Sequence, residues 1–511
     1  MSVLARNLWH WRTGRVLAVA VLAAGAAVAP ARAQLPTLGD GSEMSSSAER
    51  KLGERIAREL YRDPDYIDDA VLVEYVQGIW QPLLVAARQR GELSAELDQR
   101  FAWEIFLGKD RSINAFALPG GYLGLHLGLV GAVANRDELA SVLAHELSHV
   151  TQRHISRLMT QQNRQTPWLI GAMILGAIAA SKNPDAANAV MAGGQAMAMQ
   201  NQLNFSRDME READRIGYGV MSQAGFEPLG FVTMFDKLQQ ASRLNDNGAF
   251  PYLRSHPMTT ERMADMQARQ QLAGRNVSPA APSLEHALVT ARARVLSQGA
   301  VDALRARVAE AQAAALAQQG PARQAAALYA AALASLKQRD LVQAERFALA
   351  LRPLVQDDAA AARLARLLLA EIVLAAGDAT RAATLVPAAA TGRPDVLLLA
   401  QAAMRTGRAA DASQRLQTWV ALNPRDATAW QLLAQAYGAQ GQNIRAIRAE
   451  AEAQVAWLDY AAAMDRFKAA QELVRRMSRE GTLGNDHIEA SIIDTRARQV
   501  ESLLREQALE R

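Results

Sequence analysis

Asn135-Arg136-Asp137-Glu138-Leu139-Ala140-Ser141-Val142-Leu143-Ala144-His145-Glu146-Leu147-Ser148-His149 is the stretch on which the fold turns. Asn135 followed three residues later by Glu138 is a capping box, with Asn135 at N-cap and Glu138 at N3. It predicts a helix running through His145, Glu146 and His149 to about Met159. Leu139, Val142, Leu143, Leu147 and Val150 give that helix an apolar face to bury. At 3.6 residues per turn, His145 and His149 share one face, one turn apart, so both imidazoles can bind one zinc at about 2.0–2.1 Å. Glu146 points beside the metal rather than onto it, where it can take a proton from the attacking water.

A catalytic zinc usually has three protein ligands and one open position. Two candidates exist for the third ligand. His154 follows His149 by five residues, which carries it around the helix, toward a supporting or surface place. Glu210 lies in Glu210-Arg211-Glu212-Ala213-Asp214, where Glu210 and Asp214 are one turn apart on a second helix predicted over residues 205–224. One of that pair can bind zinc while the other reaches a free imidazole N–H; Glu212 faces elsewhere.

Working outward, residues 48–90 are helical by period, and Phe101, Trp103, Ile105 and Leu107 alternate as a strand. Residues 113–130 read as two short strands across Pro119-Gly120-Gly121, the second grading into a helix. The strand at Asn114, Ala115 and Phe116 is either a plain core strand or an edge to which an extended substrate adds. The apolar run 168–180 is too short to span a bilayer comfortably and reads as a buried or hairpin helix; with the Met- and Gln-rich residues up to 201 it can cover a cleft as a lid, and peripheral membrane contact stays open. Gly274, Pro279 and Pro282 mark a linker, assigned here to residues 274–300. Beyond it, helical turns recur near Arg339-Asp340, Gly377, Gly407 and Gly441, and Trp430, Leu433, Ala434 and Tyr437 approach the tetratricopeptide pattern. Such helix pairs stack into a solenoid. The expected fold is therefore mainly α with a small β-sheet: a zincin-type metallopeptidase domain over 34–273, then an α-solenoid of tetratricopeptide-like pairs over 301–511.

The formal net charge is +4, from 56 Lys and Arg against 52 Asp and Glu. Arg6, Arg12, Arg15 and Arg32 lie in residues 1–33, which hold no acid, so they are the whole surplus. Charge therefore gives no reason to expect a nucleic-acid partner. Those 33 residues read as a cleaved secretory signal, with a basic start, an apolar run over 16–29 and Ala31-Arg32-Ala33 as cleavage site. The expected compartment is the periplasm. With no Cys, disulfides, a thiol nucleophile, a Cys-ligated metal and a lipoprotein anchor are excluded.

H-E-x-x-H at His145–His149 followed by E-x-x-x-D at Glu210–Asp214 resembles the gluzincin family that contains the CAAX prenyl endopeptidases and the HtpX heat-shock protease. N-A-F-A-L-P-G-G at 114–121, S-R-D-M-E-R-E-A-D-R-I-G at 206–217, Ser255-His256-Pro257, the secretion signal and the repeats narrow the likeness to secreted, repeat-bearing members. The resemblance implies one Zn2+ per chain on His145, His149 and Glu210, with Glu146 as general base and Asp214 as supporting carboxylate or proton donor. It implies that His256, otherwise a turn histidine, can take the metal's fourth position and hold the enzyme off. It also implies that Arg262 lies near the metal, where it can steady an oxyanion. The expected substrates are unfolded or misassembled outer-membrane proteins, with the repeats docking to outer-membrane assembly machinery. The rival expectation is a periplasmic chaperone or adaptor whose metal site is normally blocked.

Overall fold

The computed structural model describes residues 44–161, 207–243, 251–272, 282–482, 484 and 486–508. The signal segment and residues 168–201 lie outside the described residues.

Caps set the first elements. Ser45 accepts from Ala48 N to open α1 (Ser46–Arg62), and Asp69 accepts from Leu72 N to open α2 (Ala70–Gln89). By length and composition α2 could cross a bilayer, yet Leu72, Val76, Ile79, Trp80 and Leu83 on it are buried in the core. A three-stranded sheet follows in the order β1-β3-β2, from β1 (Glu104–Gly108), β2 (Ala115–Leu118) and β3 (Tyr122–His126). β3 pairs parallel with β1 and antiparallel with β2, which leaves β2 at an edge. The chain then runs through α3 (Leu127–Ala132) into α4 (Arg136–Thr151), opened by Asn135 accepting from Glu138 N. Glu138 reaches back as a capping box requires, but to Ala134 N at 2.6 Å, one residue earlier than the pattern predicts.

Every residue of α4 from Glu138 to Thr151 is buried, because β2, α2, α6 (Arg207–Gln223) and α7 (Leu229–Arg243) all pack on it. Between them in the chain stands α5 (His154–Gln161); later, α8 (Thr260–Leu272) packs on α6 and α7.

In the C-terminal half, Pro321–Lys337 pairs with Leu341–Val355, Ala359–Ala375 with Ala379–Leu385, Arg393–Arg405 with Ala409–Leu422, and Ala427–Ala439 with Asn443–Ala456. The four turns inside those pairs carry φ of 62° at Arg339, 92° at Gly377, 73° at Gly407 and 71° at Gly441. Each closes with a bond back across the helix end, Asp340 N to Ser335 O, Asp378 N to Val373 O, Arg408 N to Ala403 O and Gln442 N to Tyr437 O. These are left-handed helix stops, which glycine enters without steric cost. Trp430, Leu433, Ala434 and Tyr437 are all buried between helices, as the repeat pattern predicts.

Three expectations need correcting. The first strand begins only at Glu104: Phe101 caps the short helix Ala95–Arg100 and Trp103 takes φ 52°, so the alternation from Phe101 is not a strand. The zinc helix stops at Thr151 rather than Met159, because Arg153 takes φ 52° and α5 sets off on a new axis. Residues 274–300 are not a linker throughout, since 284–297 form α9 (Leu284–Ser297). Leu288, Val289, Ala291, Ala293 and Val295 of α9 are buried against α2, α3 and the first repeat helices. One hydrophobic core consequently extends from Val71 on α2 to Ala402 in the repeats.

Candidate metal centre

α4 and α6 cross at Gly217, whose missing side chain is the reason they can. A Cβ there would lie 3.1 Å from the carbonyl of Ala144 and from the backbone N of His145. That approach brings Glu210 and Asp214 to the histidines across 61 residues of sequence.

His145, His149, Glu210 and His256 each offer one ligand atom, all within 4.8 Å of one another, and all four are buried. His145 Nε2 lies 3.0 Å from His149 Nε2 and 3.3 Å from His256 Nδ1. Glu210 Oε1 is 3.0 Å from His256 Nδ1 and 3.4 Å from His149 Nε2, while its Oε2 is 3.5 Å from His145 Nε2. Atoms held about 2.0–2.1 Å from one ion at tetrahedral angles stand about 3.3 Å apart. The observed separations bracket that value.

Charge points the same way. His145 is fully buried, which alone would pull its pKa down, yet Asp214 and Glu210 outweigh burial and push it up to about 9. Burial likewise works to raise Glu210 and Asp214, but His256 and His145 hold the first, and Arg262 the second, below the usual carboxylate range. His149 goes down, from burial and from the neighbouring His145. A buried cluster that protonates one imidazole this strongly carries surplus negative charge, which a divalent cation would neutralise. Glu146 completes the fit: it is fully buried, and neither carboxylate oxygen has a hydrogen-bond partner among the described residues. Its Oε1 stands 3.5 Å from His256 Nε2.

Around this set, Asp214 Oδ1 lies 2.9 Å from His145 Nδ1, though not in line for a good hydrogen bond. Arg262 donates from Nε and Nη2 to the two oxygens of Asp214 at 2.7 and 2.8 Å. Its Nη1 meets Glu210 Oε2 at 2.7 Å and Pro257 O at 2.9 Å. All three guanidinium nitrogens thus face a carboxylate or carbonyl oxygen, which makes Arg262 a clamp on the carboxylates. Tyr252, absent from the sequence reading, stacks on His256 with ring centroids 4.6 Å apart. Its only signal was its place four residues before that histidine.

The sequence places His154 in a supporting or surface position and turns Glu212 elsewhere; the structure gives His154 the supporting position and brings Glu212 in behind it. In an unbroken helix His154 would indeed turn away; the break at Arg153 swings it back. His154 Nδ1 lies 2.8 Å from His149 Nδ1, and its Nε2 lies 3.0 Å from Glu212 Oε2. Asn114 and Ala115 are buried and Phe116 is half-buried; β2 lies against α4, and no other described strand pairs with its outer edge.

A helix presenting two imidazoles, a second presenting a carboxylate, and a buried glutamate beside them define a metallopeptidase, here joined to a helical-repeat array. Comparison with known proteins agrees. The model of "Peptidase family M48" matches residues 84–270, and a "Tetratricopeptide repeat" model matches residues 373–436. The chain is 30% identical over 438 residues to the beta-barrel assembly-enhancing protease of Escherichia coli (strain K12), covering 83% of this chain and 85% of that one. It is 34% identical over 269 residues to the putative beta-barrel assembly-enhancing protease of Vibrio cholerae, spanning about half of each, 52%. A mitochondrial metalloendopeptidase of Saccharomyces cerevisiae is 28% identical over 196 residues, 37% of this chain and 54% of the relative. The chain belongs to peptidase family M48, among its repeat-bearing beta-barrel assembly-enhancing proteases.

Proposed function

We propose that the chain is a zinc-dependent endopeptidase of the periplasm that hydrolyses unfolded or stalled outer-membrane proteins. The observation that carries this reading is the buried Glu146 carboxylate, without a hydrogen-bond partner among the described residues, beside the His145, His149 and Glu210 ligand atoms. When bound, zinc would acidify the attacking water and polarise the scissile carbonyl. Glu146 takes the proton from that water and returns it to the leaving amine. Asp214, clamped by Arg262, stands 2.9 Å from His145 Nδ1 and is the second carboxylate available to pass a proton to the amine. An extended substrate adds along the outer edge of β2 at Asn114, Ala115 and Phe116, where backbone pairing presents the peptide with little demand on sequence. The repeats dock the chain to the outer-membrane assembly machinery; the names and lengths of the bacterial relatives support this. Glu146→Gln tests the reading: it should keep zinc and fold and lose cleavage of an unfolded substrate such as casein. Cleavage at the wild-type rate would overturn it.

A second reading is favoured by His256, whose Nδ1 stands among the ligand atoms 3.0 Å from Glu210. With His256 as fourth ligand the site is closed to substrate, and the chain can act as a chaperone or adaptor until it moves. His256→Ala should then raise proteolysis; an unchanged or lower rate counts against the block. If Glu146→Gln fully rescues a deletion strain, the adaptor role is the one the cell needs.

A further inference from the structure

The metal ligands are usually held by partners of their own, and His149 has an unusual one: a second histidine. His149 turns Nε2 toward His145 and Glu210, so its Nδ1 faces the other way, 2.8 Å from His154 Nδ1. Two ring nitrogens at that distance must be one donor and one acceptor. If His149 keeps the Nε2 lone pair for a metal, its proton is on Nδ1, and His154 must accept at its own Nδ1. His154 then carries its proton on Nε2, which is the atom 3.0 Å from Glu212 Oε2. Glu212 accepts once more, from Arg157 Nη1 at 2.8 Å. A single choice of tautomer therefore fits each of these contacts along the line. The line runs from the buried site to the surface, with His154 buried and the Glu212 side chain 30% exposed.

We infer that His154 and Glu212 are positioning residues for His149, a carboxylate–imidazole relay that fixes the ring's tautomer and orientation for metal binding. The local fold is built around it. Arg153 holds the left-handed φ of 52° that turns His154 inward, and its guanidinium is tied to Glu49 Oε2 at 2.9 Å and Ser156 Oγ at 3.2 Å. Without that break, residue 154 would stand on the far side of the helix from the ligand it supports. Three of the four acidic side chains of α6 thereby divide the work: Glu210 enters the ligand set, Asp214 approaches His145, and Glu212 acts on His149 through His154.

The inference rests on the proposed metal site, and zinc affinity tests both separately. Zinc dissociation constants and release rates would be measured by chelator competition on the full chain, for wild type and for Glu210→Ala, His154→Ala, Glu212→Ala and Glu212→Gln. Removing such an outer partner should weaken zinc about 10- to 100-fold. Glu212→Ala, a part-exposed change, should do so with the thermal unfolding of the metal-free protein unchanged. Glu212→Gln keeps an oxygen to accept from His154 and should recover much of the loss, which a merely structural role would not predict. Wild-type affinity and release rate in both Glu212→Ala and His154→Ala, with Glu210→Ala still weakened, would overturn the relay alone. Wild-type affinity in Glu210→Ala would overturn the site beneath it.

Discussion

Arg262 is the residue where two accounts diverge. Its side chain is 3% exposed and lies against two buried carboxylates, Asp214 and Glu210. Taking it away leaves both charges uncompensated, a situation that typically costs about 3–5 kcal/mol. Arg262→Ala should therefore lower the thermal midpoint of the chelator-treated protein by several degrees and weaken zinc as well. An oxyanion donor would instead show an unchanged midpoint and a fall in kcat alone. His145, His149 and Glu146 were legible in the sequence because a helix converts spacing into direction, which also put Glu210 and Asp214 on one face; the choice of Glu210, and His256 altogether, came from the resemblance. The clamp was not, since Arg262 meets Asp214 from 48 residues away along the chain. Only resemblance pointed to it, by placing an arginine near the metal.

At the scale of elements, the site depends on how closely α6 crosses α4. Gly217 faces the Ala144 carbonyl, with no room for a branched side chain. Gly217→Val should push the helices apart and reduce zinc affinity at least as strongly as loss of one outer partner, while helix content by circular dichroism stays near wild type. Retained zinc affinity would show that the crossing tolerates a shift the geometry does not allow. Helix identity was readable from periodicity and caps: Asn135, the apolar face of α4 and the turns at Gly377, Gly407 and Gly441 all fell where composition placed them. The break at Arg153 was hidden because nothing local marks it. Arginine is a poor left-handed residue, and what holds it there is Glu49, 104 residues earlier.

For the molecule as a whole, α2 and the loop before it are pinned to the repeats by three arginines. Arg292 joins Asp69 at 2.8 Å to Glu371 at 3.0 Å, Arg363 meets Glu74 at 2.6 Å and also bonds Asp395, and Arg393 joins Asp68 at 2.6 Å to Asp426 at 2.7 Å. With a core shared from Val71 to Ala402, peptidase and repeat halves should unfold in one calorimetric transition, and Arg292→Leu should move that whole transition down. Two separable transitions would contradict the shared core. Acid should act on the same seam. Burial works to raise Asp69 and Asp426, but Arg292 and Arg393 outweigh it and hold both below the ordinary 3.8. Their contribution is complete above that pH and is lost as pH falls through the depressed values, so midpoints should be level near neutrality and drop below about pH 4. The seam was illegible in the sequence because Gly274, Pro279 and Pro282 mark a break in the chain, while α9 just beyond them is what fuses the halves. The central claim, that α4 and α6 together grip one ion, is tested most directly by metal content. Elemental analysis after dialysis against a weak chelator should give one zinc per wild-type chain, one per Glu146→Gln chain and none per Glu210→Ala chain. A full equivalent retained by Glu210→Ala, or none held by the wild type, would contradict it.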